Sequence, residues 1–569
     1  MNEVDRIKKG DFSDKLFNSL KLELERRNKL SLEEIDSRSQ LMMDVFSQGK
    51  SWEDYLQEVK DIESLRKQDI IDVANKYFTG NYLEINKKTG NYPKDNLQKP
   101  GFAPIIPKNG EAKSEYAKNM EKMPVKNANP RFLDFDKDAA IEPLTSMVTL
   151  YSTTNPVNDI FSLDIEYGKG TLESKLISPM TTYISLLGSD SLSFDQFKGK
   201  LQNIGSTISF NSHLDKFVIE ITGFDRNFDS TMVIVGDFLK NVKADKKKMK
   251  QVVNEKRVGE KAEKESSDNV GEALLDKVRY GDKSDYLNRL SLSELKKIKG
   301  EDLVAEFKSV TKVECSMHYC GKLSISEVSS KIKKHLDLGG ITIASATPLY
   351  RQLKPVDVPV VYLVDIPKSA QSIIYGYAPG GVNPDLTSQY AGALFNNYFG
   401  GSMGSLVFQQ IREFRSLAYR ARAKYNMPDY KHRDMEGQFI ASLSTQCDKT
   451  IDAIGVLDSL IKMMPAKPER VETARQDAIN NAYNDYPALR YRSSQIAGLK
   501  KQGYTSDPKK QLVEAVSTMG IDEIVSFYNK NVKNNKISYL IVGDVKKIDM
   551  ARLAKYGNIV RLKKDELFK

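Results

Sequence analysis

The stretch best equipped for chemistry is FNNYFGGSMGSLVFQQIREFRSLAYRARAKY, residues 395–425. Arg412 and Tyr419 lie seven residues apart in it, on either side of a predicted helix-to-strand junction. Both side chains can therefore point into one cleft. Both side chains carry hydrogen-bond donors. The alternative, a surface arginine and a core tyrosine without a shared role, stays open at this point.

Two elements must position this pair. Gly400, Gly401 and Gly404 predict a glycine-rich turn that ends one helix and opens the next. The next helix, residues 405–414, should then turn Leu406, Phe408 and Ile411 inward. After the junction the alternation of LAYRARAKY predicts a strand.

The cysteines and histidines do not form an evident metal motif. The three cysteines are Cys315, Cys320 and Cys447, too few and odd in number for a disulfide framework. Cys315, His318 and Cys320 are close in sequence, but a strand would place the two cysteines on opposite faces. Buried strand cysteines are therefore favoured over a metal site, which stays the minor alternative.

Composition indicates a globular protein with several folded units. The chain has 569 residues, 40% of them apolar and 28% charged. Its net charge of +10 is spread along the sequence. No aromatic residues alternate with the basic ones as a nucleic-acid groove requires, so nucleic acid is not an expected partner. No apolar run is long enough for membrane insertion, and the first residues do not read as a secretory signal peptide.

The chain divides into four stretches. Residues 1–95 are predicted to be mostly helical, and residues 96–128 read as a linker rich in Pro, Lys, Gly and Asn. Residues 129–345 and 346–569 look like copies of one unit. The copies match at an offset of 219 residues for the pairs Asp229 and Asp448, Thr231 and Thr450, and Gly236 and Gly455, and at 222 for Gly321 and Gly543.

Each copy begins with strands, continues with helices and a pair of strands, and ends with a strand. This order predicts an α+β class, with repeated sandwich units in which helices cover a mixed sheet. Residues 1–95 resemble only the rear half of such a unit. The coincidental similarity of amphipathic helices is the alternative.

Residues 395–425 closely resemble the last-domain signature of the insulinase–pitrilysin family of zinc metallopeptidases, which carry an inverted His-X-X-Glu-His motif. The resemblance extends more weakly over the whole chain and implies repeated units of the LuxS/insulinase-like type. It identifies this chain with the C-terminal, zinc-free portion of the family's four-unit plan. The matching residues are Gly400-Gly401, Ser405-Leu406, Arg412-Glu413 and Leu417-Ala418-Tyr419.

The resemblance implies that Arg412 and Tyr419 reach across a closed chamber to the carbonyl of a peptide or unfolded polypeptide. It also implies that a neighbouring set takes part in binding. The charge that develops on that carbonyl as zinc-bound water attacks would be stabilised by such donors. The implied binding set is Gly400, Gly401, Ser405 and Glu413.

The zinc motif itself is missing. The four histidines are His213, His318, His335 and His432, and no two lie within five residues of each other. In the first copy the family's ligand positions fall on or near Pro179 and Tyr183, with Thr182 at the position of the general base. The resemblance therefore implies no cofactor in this chain. Zinc is expected in a missing N-terminal half, in the same longer chain or in a separate subunit.

Whether the chain is enzymatic by itself is uncertain, and we expect it to be inactive alone. The alternative is a non-catalytic scaffold or peptide-binding homologue of the peptidase fold. The compartment is unknown, although relatives of this design are often exported to the bacterial periplasm.

Overall fold

The computed structural model describes residues 2–91, 112–124, 130–346, 351–428 and 430–569. Twelve strands form two six-stranded sheets in this part of the chain. The first sheet contains β1 (Ala140–Pro143), β2 (Val148–Thr154), β3 (Ile160–Tyr167), β4 (Thr207–Ser212), β5 (Phe217–Phe224) and β6 (Cys315–Gly321). The second contains β7 (Val360–Asp365), β8 (Gln371–Val382), β9 (Ala418–Asn426), β10 (Glu436–Gln446), β11 (Ser538–Gly543) and β12 (Asn558–Leu562).

The helices fall into three groups along the chain. Before the first sheet lie α1 (Asn2–Lys8), α2 (Asp14–Ser31), α3 (Ile35–Ser47), α4 (Trp52–Ser64), α5 (Lys67–Tyr77) and α6 (Glu115–Glu121). Between β3 and β7 lie α7 (Ile177–Ile184), α8 (Phe194–Asn203), α9 (Phe228–Asn241), α10 (Lys246–Glu265), α11 (Ser267–Tyr280), α12 (Leu292–Leu295), α13 (Gly300–Val310) and α14 (Ile325–His335). The remainder are α15 (Leu386–Asn396), α16 (Thr450–Lys462), α17 (Val471–Asn484), α18 (Arg492–Gln502), α19 (Pro508–Val516), α20 (Ile521–Asn531) and α21 (Met550–Leu553).

The two sheets share one strand order. The first runs β1-β2-β6-β3-β5-β4 and the second β12-β7-β11-β8-β10-β9. In both, the last inner strand (β6 or β11) pairs parallel with one neighbour and antiparallel with the other. Gly321 and Gly543, which match in the sequence repeat, end these two equivalent strands. The mixed sheets covered by helices confirm the predicted α+β class.

The stretch predicted to be helical, residues 1–95, contains α1–α5 and irregular chain up to residue 91. Most of the predicted linker, residues 96–128, lies outside the described residues; the described part includes α6. The boundaries of the four stretches stay predictions.

Successive side chains of a strand point to opposite sides, and one face of each sheet packs into a large apolar core. On β3, Phe161, Leu163 and Ile165 are fully buried in a core that also contains Met180 from α7 and Phe307 from α13. The second sheet buries its own apolar face against helices in the same way. The residues of that core include Ile374, Phe439, Leu443, Leu394, Ile454 and Leu457.

The other faces of the sheets are covered by helices exchanged between the two halves. Helix α11, which precedes the second sheet, packs Val270 and Leu274 against Tyr375 and Leu540 of that sheet. Helix α18, which belongs to the later half, lies against β2 and β6 of the first sheet. This reciprocal packing ties the two halves together through buried surface.

The polar face of the first sheet contains a partly buried titratable group. Asp164 on β3 lies opposite Glu220 on β5 and opposite His318 on β6. Burial, with smaller contributions from Glu220 and Glu166, raises the pKa of Asp164 to about 7. Burial lowers the pKa of His318 to about 4. Ionisation of Asp164 in the folded protein is therefore unfavourable.

We expect Asp164→Asn to stabilise the protein at pH 8 by about 2 kcal/mol. Because the pKa of Asp164 is raised in the folded protein, its contribution to the free energy of unfolding is complete below about pH 4. That contribution is lost as the pH rises through 7. Asparagine does not ionise, so the variant avoids the loss. Urea unfolding at pH 4, 6 and 8 should show a gain that shrinks towards pH 4. The exposed Asp136→Asn is the control. A variant less stable than the parent at pH 8 would contradict the expectation.

Candidate functional site

Two π-helical segments carry most of the signature residues. Asn397–Gly401 contains Gly400 and Gly401, and Phe408–Glu413 contains Arg412 and Glu413. In the second segment the backbone N–H of Phe414 donates to the carbonyl of Gln409 at 2.9 Å, five residues earlier. Such segments are rare in proteins and occur frequently at functional sites. The local backbone is thus irregular where the sequence predicted an ordinary turn and helix.

One expectation about the helix is wrong. Leu406 and Ile411 are buried as predicted, but Phe408 is only partly buried, and Val407 is buried beside Leu406. Phe408 follows Leu406 by two residues, and side chains at that spacing lie on opposite sides of a helix. The Phe408 ring is then available beneath Arg412.

The chain reverses sharply after the second segment. Ser416 has φ 49°, in the left-handed region that residues other than glycine seldom adopt. Its N–H donates to the carbonyl of Arg412 at 3.0 Å, and the N–H of Leu417 donates to that of Ile411 at 2.9 Å. These bonds close the helix and direct the chain straight into β9, which begins at Ala418.

A register shift at the start of β9 exposes Tyr419. In the pairing of β9 with β10, Arg420 lies opposite Ser444 and Ala418 opposite Thr445, which leaves Tyr419 as the extra residue. Such a bulge turns a side chain away from the regular alternation. The side chains of Ala418 and Ala421 are buried, whereas Tyr419 is 81% exposed.

The structure brings Arg412 and Tyr419 into contact. The guanidinium carbon of Arg412 lies 4.4 Å from the centre of the Tyr419 ring and 4.7 Å from that of Phe408. Its Nε is 3.4 Å from Oε1 of Glu413. Within the described residues, neither the guanidinium nor the Tyr419 hydroxyl donates a hydrogen bond. The cation–π contacts fix the guanidinium plane while its donors stay open to solvent.

Gly400 sets the distance between the first π-helical segment and β9. A Cβ added there would lie 2.5 Å from both the backbone nitrogen and oxygen of Ala423, which a methyl group cannot do without moving the strand. Asn396 holds the same edge, since its side chain accepts from the N–H of Tyr425 at 2.7 Å and donates to the Tyr425 carbonyl at 3.0 Å.

We expect Gly400→Ala to destabilise the protein by about 1–3 kcal/mol and to displace β9, because the added methyl overpacks a backbone contact. Urea unfolding measures the loss. Gly498→Ala is the matched control: no atom lies within 4 Å of its added Cβ, so the exchange in helix α18 should be neutral or stabilising. Equal stability of both variants would contradict the close approach.

The other predicted binding residues have different surroundings. Ser405 is fully buried and its hydroxyl donates to the carbonyl of Ser402 at 2.6 Å, which holds the turn, and its role in binding stays a prediction. Glu413 is half exposed beside Arg412, and Gly401 is exposed at the end of its segment. Sequence reasoning missed Asn396 and placed Phe408 on the inward side of the helix, and no motif signals either position beside the site.

Of the positions predicted on or near the family's zinc ligands, Tyr183 lies in the core and Pro179 is partly buried. Tyr183 is buried on α7, and its hydroxyl donates to the carbonyl of Asp245 at 3.0 Å and accepts from the Asp245 N–H at 2.9 Å. In the described ranges, no group of three or more His, Cys, Asp and Glu side chains is arranged to hold a metal ion. Cys315 lies in the core, and His318 and Cys320 lie on the opposite face of β6.

The fold is that of M16-like peptidases. The chain is similar to the peptidase M16 inactive domain from Pseudomonas fluorescens, with a TM-score of 0.56 and 13% identity over 72% of this chain and 98% of that one. It is similar to the periplasmic protease PqqL from Escherichia coli, with a TM-score of 0.56 and 11% identity, and to the ferredoxin protease FusC, with 0.56 and 9%. Both comparisons cover 95% of this chain and 62% of the other.

Residues 312–476, which include the whole candidate site, match the family model of the peptidase M16 inactive domain. This confirms the resemblance to the C-terminal half of insulinase–pitrilysin peptidases. No curated protein matches the chain in sequence. Among the described helices, none combines the length and apolar character needed to cross a membrane.

Proposed function

We propose that this chain is the C-terminal part of a zinc-dependent metalloendopeptidase that acts on peptides or unfolded polypeptides. It completes a closed chamber and contributes Arg412 and Tyr419 to the substrate carbonyl. The zinc-bearing N-terminal half belongs to the same longer chain or to a separate subunit. The match of residues 312–476 to the peptidase M16 inactive domain supports an accessory role, and the chain alone is inactive.

The observation that carries the proposal is a pair of neighbouring donors that make no hydrogen bond within the described residues. The guanidinium of Arg412 contacts two aromatic rings, and Tyr419 projects from a bulge. Zinc in the partner half would supply the activated water. The guanidinium and hydroxyl would then donate to the oxygen on which negative charge develops, without reorganising first. A scaffold without catalytic function needs neither an exposed tyrosine nor an arginine fixed against it.

Exposed apolar side chains on the N-terminal helices support a contact surface for the zinc-bearing half. Leu16, Leu20 and Leu24 repeat every four residues on α2, and each is between 45% and 54% exposed. Helices α3 and α4 add Met42, Met43, Phe46, Trp52 and Leu56 to the exposed apolar side chains. Apolar surface of this extent marks an interaction site. We propose that the zinc-bearing half covers it.

Assembly with that half tests the proposal. We expect a quenched fluorescent peptide to be cleaved only when both halves are present, and cleavage to stop on addition of a chelator. Leu20→Asp should weaken assembly, because it places a charge in the apolar stripe, whereas the exposed Lys15→Asp should not. Assembly without cleavage would favour the second candidate, a non-catalytic scaffold or peptide-binding homologue.

A further inference from the structure

Strand β9 carries three cations on one side. Arg420, Arg422 and Lys424 alternate with Ala421 and Ala423, and all three are exposed while the alanines are buried. Because every second side chain of a strand points the same way, the cations stand in line, about 7 Å apart. We call these three residues the basic stripe.

The stripe lies on the face of the second sheet that points away from its large core, on the terminal strand β9. β9 is the last strand of that sheet, and α11 covers β8 and β11 further in. Asp268 of α11 pairs with Arg420 at 2.8 Å. Within the described residues, Arg422 and Lys424 have no ion-pair partner. Like charges side by side on a sheet repel, so two cations stay uncompensated.

The internal repeat shows that the strand itself does not need these charges. β4 holds the equivalent edge position in the first sheet. Its residues away from the core are the uncharged Thr207, Ser209 and Asn211, and Ser209 donates to Glu220 at 3.0 Å. The edge strand of the first sheet is thus uncharged on this side, whereas the equivalent strand of the second sheet carries three cations. This difference indicates a role for the cations that is specific to the second sheet.

The stripe continues the candidate site. Tyr419 directly precedes Arg420 on β9, and both are exposed at the bulge. We propose that the basic stripe is a specificity subsite for substrate segments with carboxylates at every second residue. An extended peptide along β9 presents alternate side chains at the same repeat as the strand, so its carboxylates match Arg422 and Lys424. This inference rests on the proposed function and names its substrate class.

Fluorescence anisotropy with the full chain tests it. The probes are labelled extended peptides with glutamate at every second position, the same peptide with glutamine, and an isomer with its glutamates contiguous. We expect the alternating glutamate peptide to bind roughly tenfold or more tightly than the glutamine peptide, with the isomer between them. The preference should fall as salt screens it. The double variant R422E/K424E should abolish it, and R422Q/K424Q should reduce it.

Arg561→Glu is the matched control, because Arg561 is exposed on β12, at the opposite edge of the same sheet. It changes net charge without touching the stripe and should keep the preference. Equal affinity for the glutamate and glutamine peptides, no saturable binding of the former, or equal loss in Arg561→Glu would overturn the inference. None of these readouts needs zinc or cleavage. Failure of the proposed function can therefore be distinguished from failure of this inference, because it would appear as an assembled complex that cleaves no peptide.

Discussion

Replacing Arg412 by alanine lowers kcat/KM of the assembled peptidase by about 10²–10³, which is the cost of removing one preplaced donor from a developing oxyanion. Because the interaction forms in the transition state, most of the loss should fall on kcat rather than on KM. Arg412→Lys should recover only part of the activity, since an ammonium group lacks the flat fork that packs between Phe408 and Tyr419.

Two further variants make the result specific. Tyr419→Phe keeps the ring under Arg412 and removes only the hydroxyl, so a loss of about fivefold to tenfold is expected, the value of one hydrogen bond. Arg415→Ala is the control, because Arg415 is exposed and donates to Gln410 instead. Unchanged kinetics of Arg412→Ala, or an equal loss in Arg415→Ala, would contradict a catalytic role of the pair.

Glu33→Ala should destabilise the protein by about 3–5 kcal/mol, the typical cost of breaking a buried ion pair and stranding one charge. The Glu33 side chain is 7% exposed and that of Arg490 is 16% exposed. Their two bonds measure 2.7 and 2.6 Å, and Arg490 also donates to the carbonyl of Ile160 at 3.0 Å. Asn158 donates to the same carboxylate at 2.8 Å. One carboxylate thus joins the N-terminal helices to both sheet-containing halves.

Hydrogen exchange locates this effect, and urea unfolding gives its size. In Glu33→Ala we expect faster exchange first in α2 and α3, because these helices lose their buried anchor. Glu34→Ala is the control, since Glu34 is the exposed neighbour and its side chain does not cap α3. A loss below 1 kcal/mol in Glu33→Ala, or equal losses in both variants, would show that the ion pair does not hold the segments together.

The sequence predicted the features that depend on local pattern. Strand and helix order within each copy follow from hydrophobic periodicity, and matched residues such as Gly321 and Gly543 revealed the duplication before any strand order was known. The helix-to-strand junction between Arg412 and Tyr419 predicted that both side chains could point into one cleft, and the structure places the guanidinium 4.4 Å from the centre of the Tyr419 ring. These features depend mainly on residues that are close to one another in the sequence.

The features that the sequence did not reveal depend on backbone register or on distant partners. The π-helical hydrogen bond from the N–H of Phe414 to the carbonyl of Gln409 is not indicated by any residue type in the segment. The bulge at Tyr419 appears only when β9 pairs with β10. Glu33 and Arg490 are 457 residues apart, so their ion pair requires the whole fold.

The zinc content of the purified chain, measured together with its cleavage of a quenched fluorescent peptide, tests most directly whether this chain is the zinc-free half. We expect no bound zinc and no cleavage by the chain alone, with cleavage appearing once the zinc-bearing half is added. Stoichiometric zinc with chelator-sensitive cleavage by the chain alone would contradict this expectation, because a metal site would then exist in the half assigned here as zinc-free.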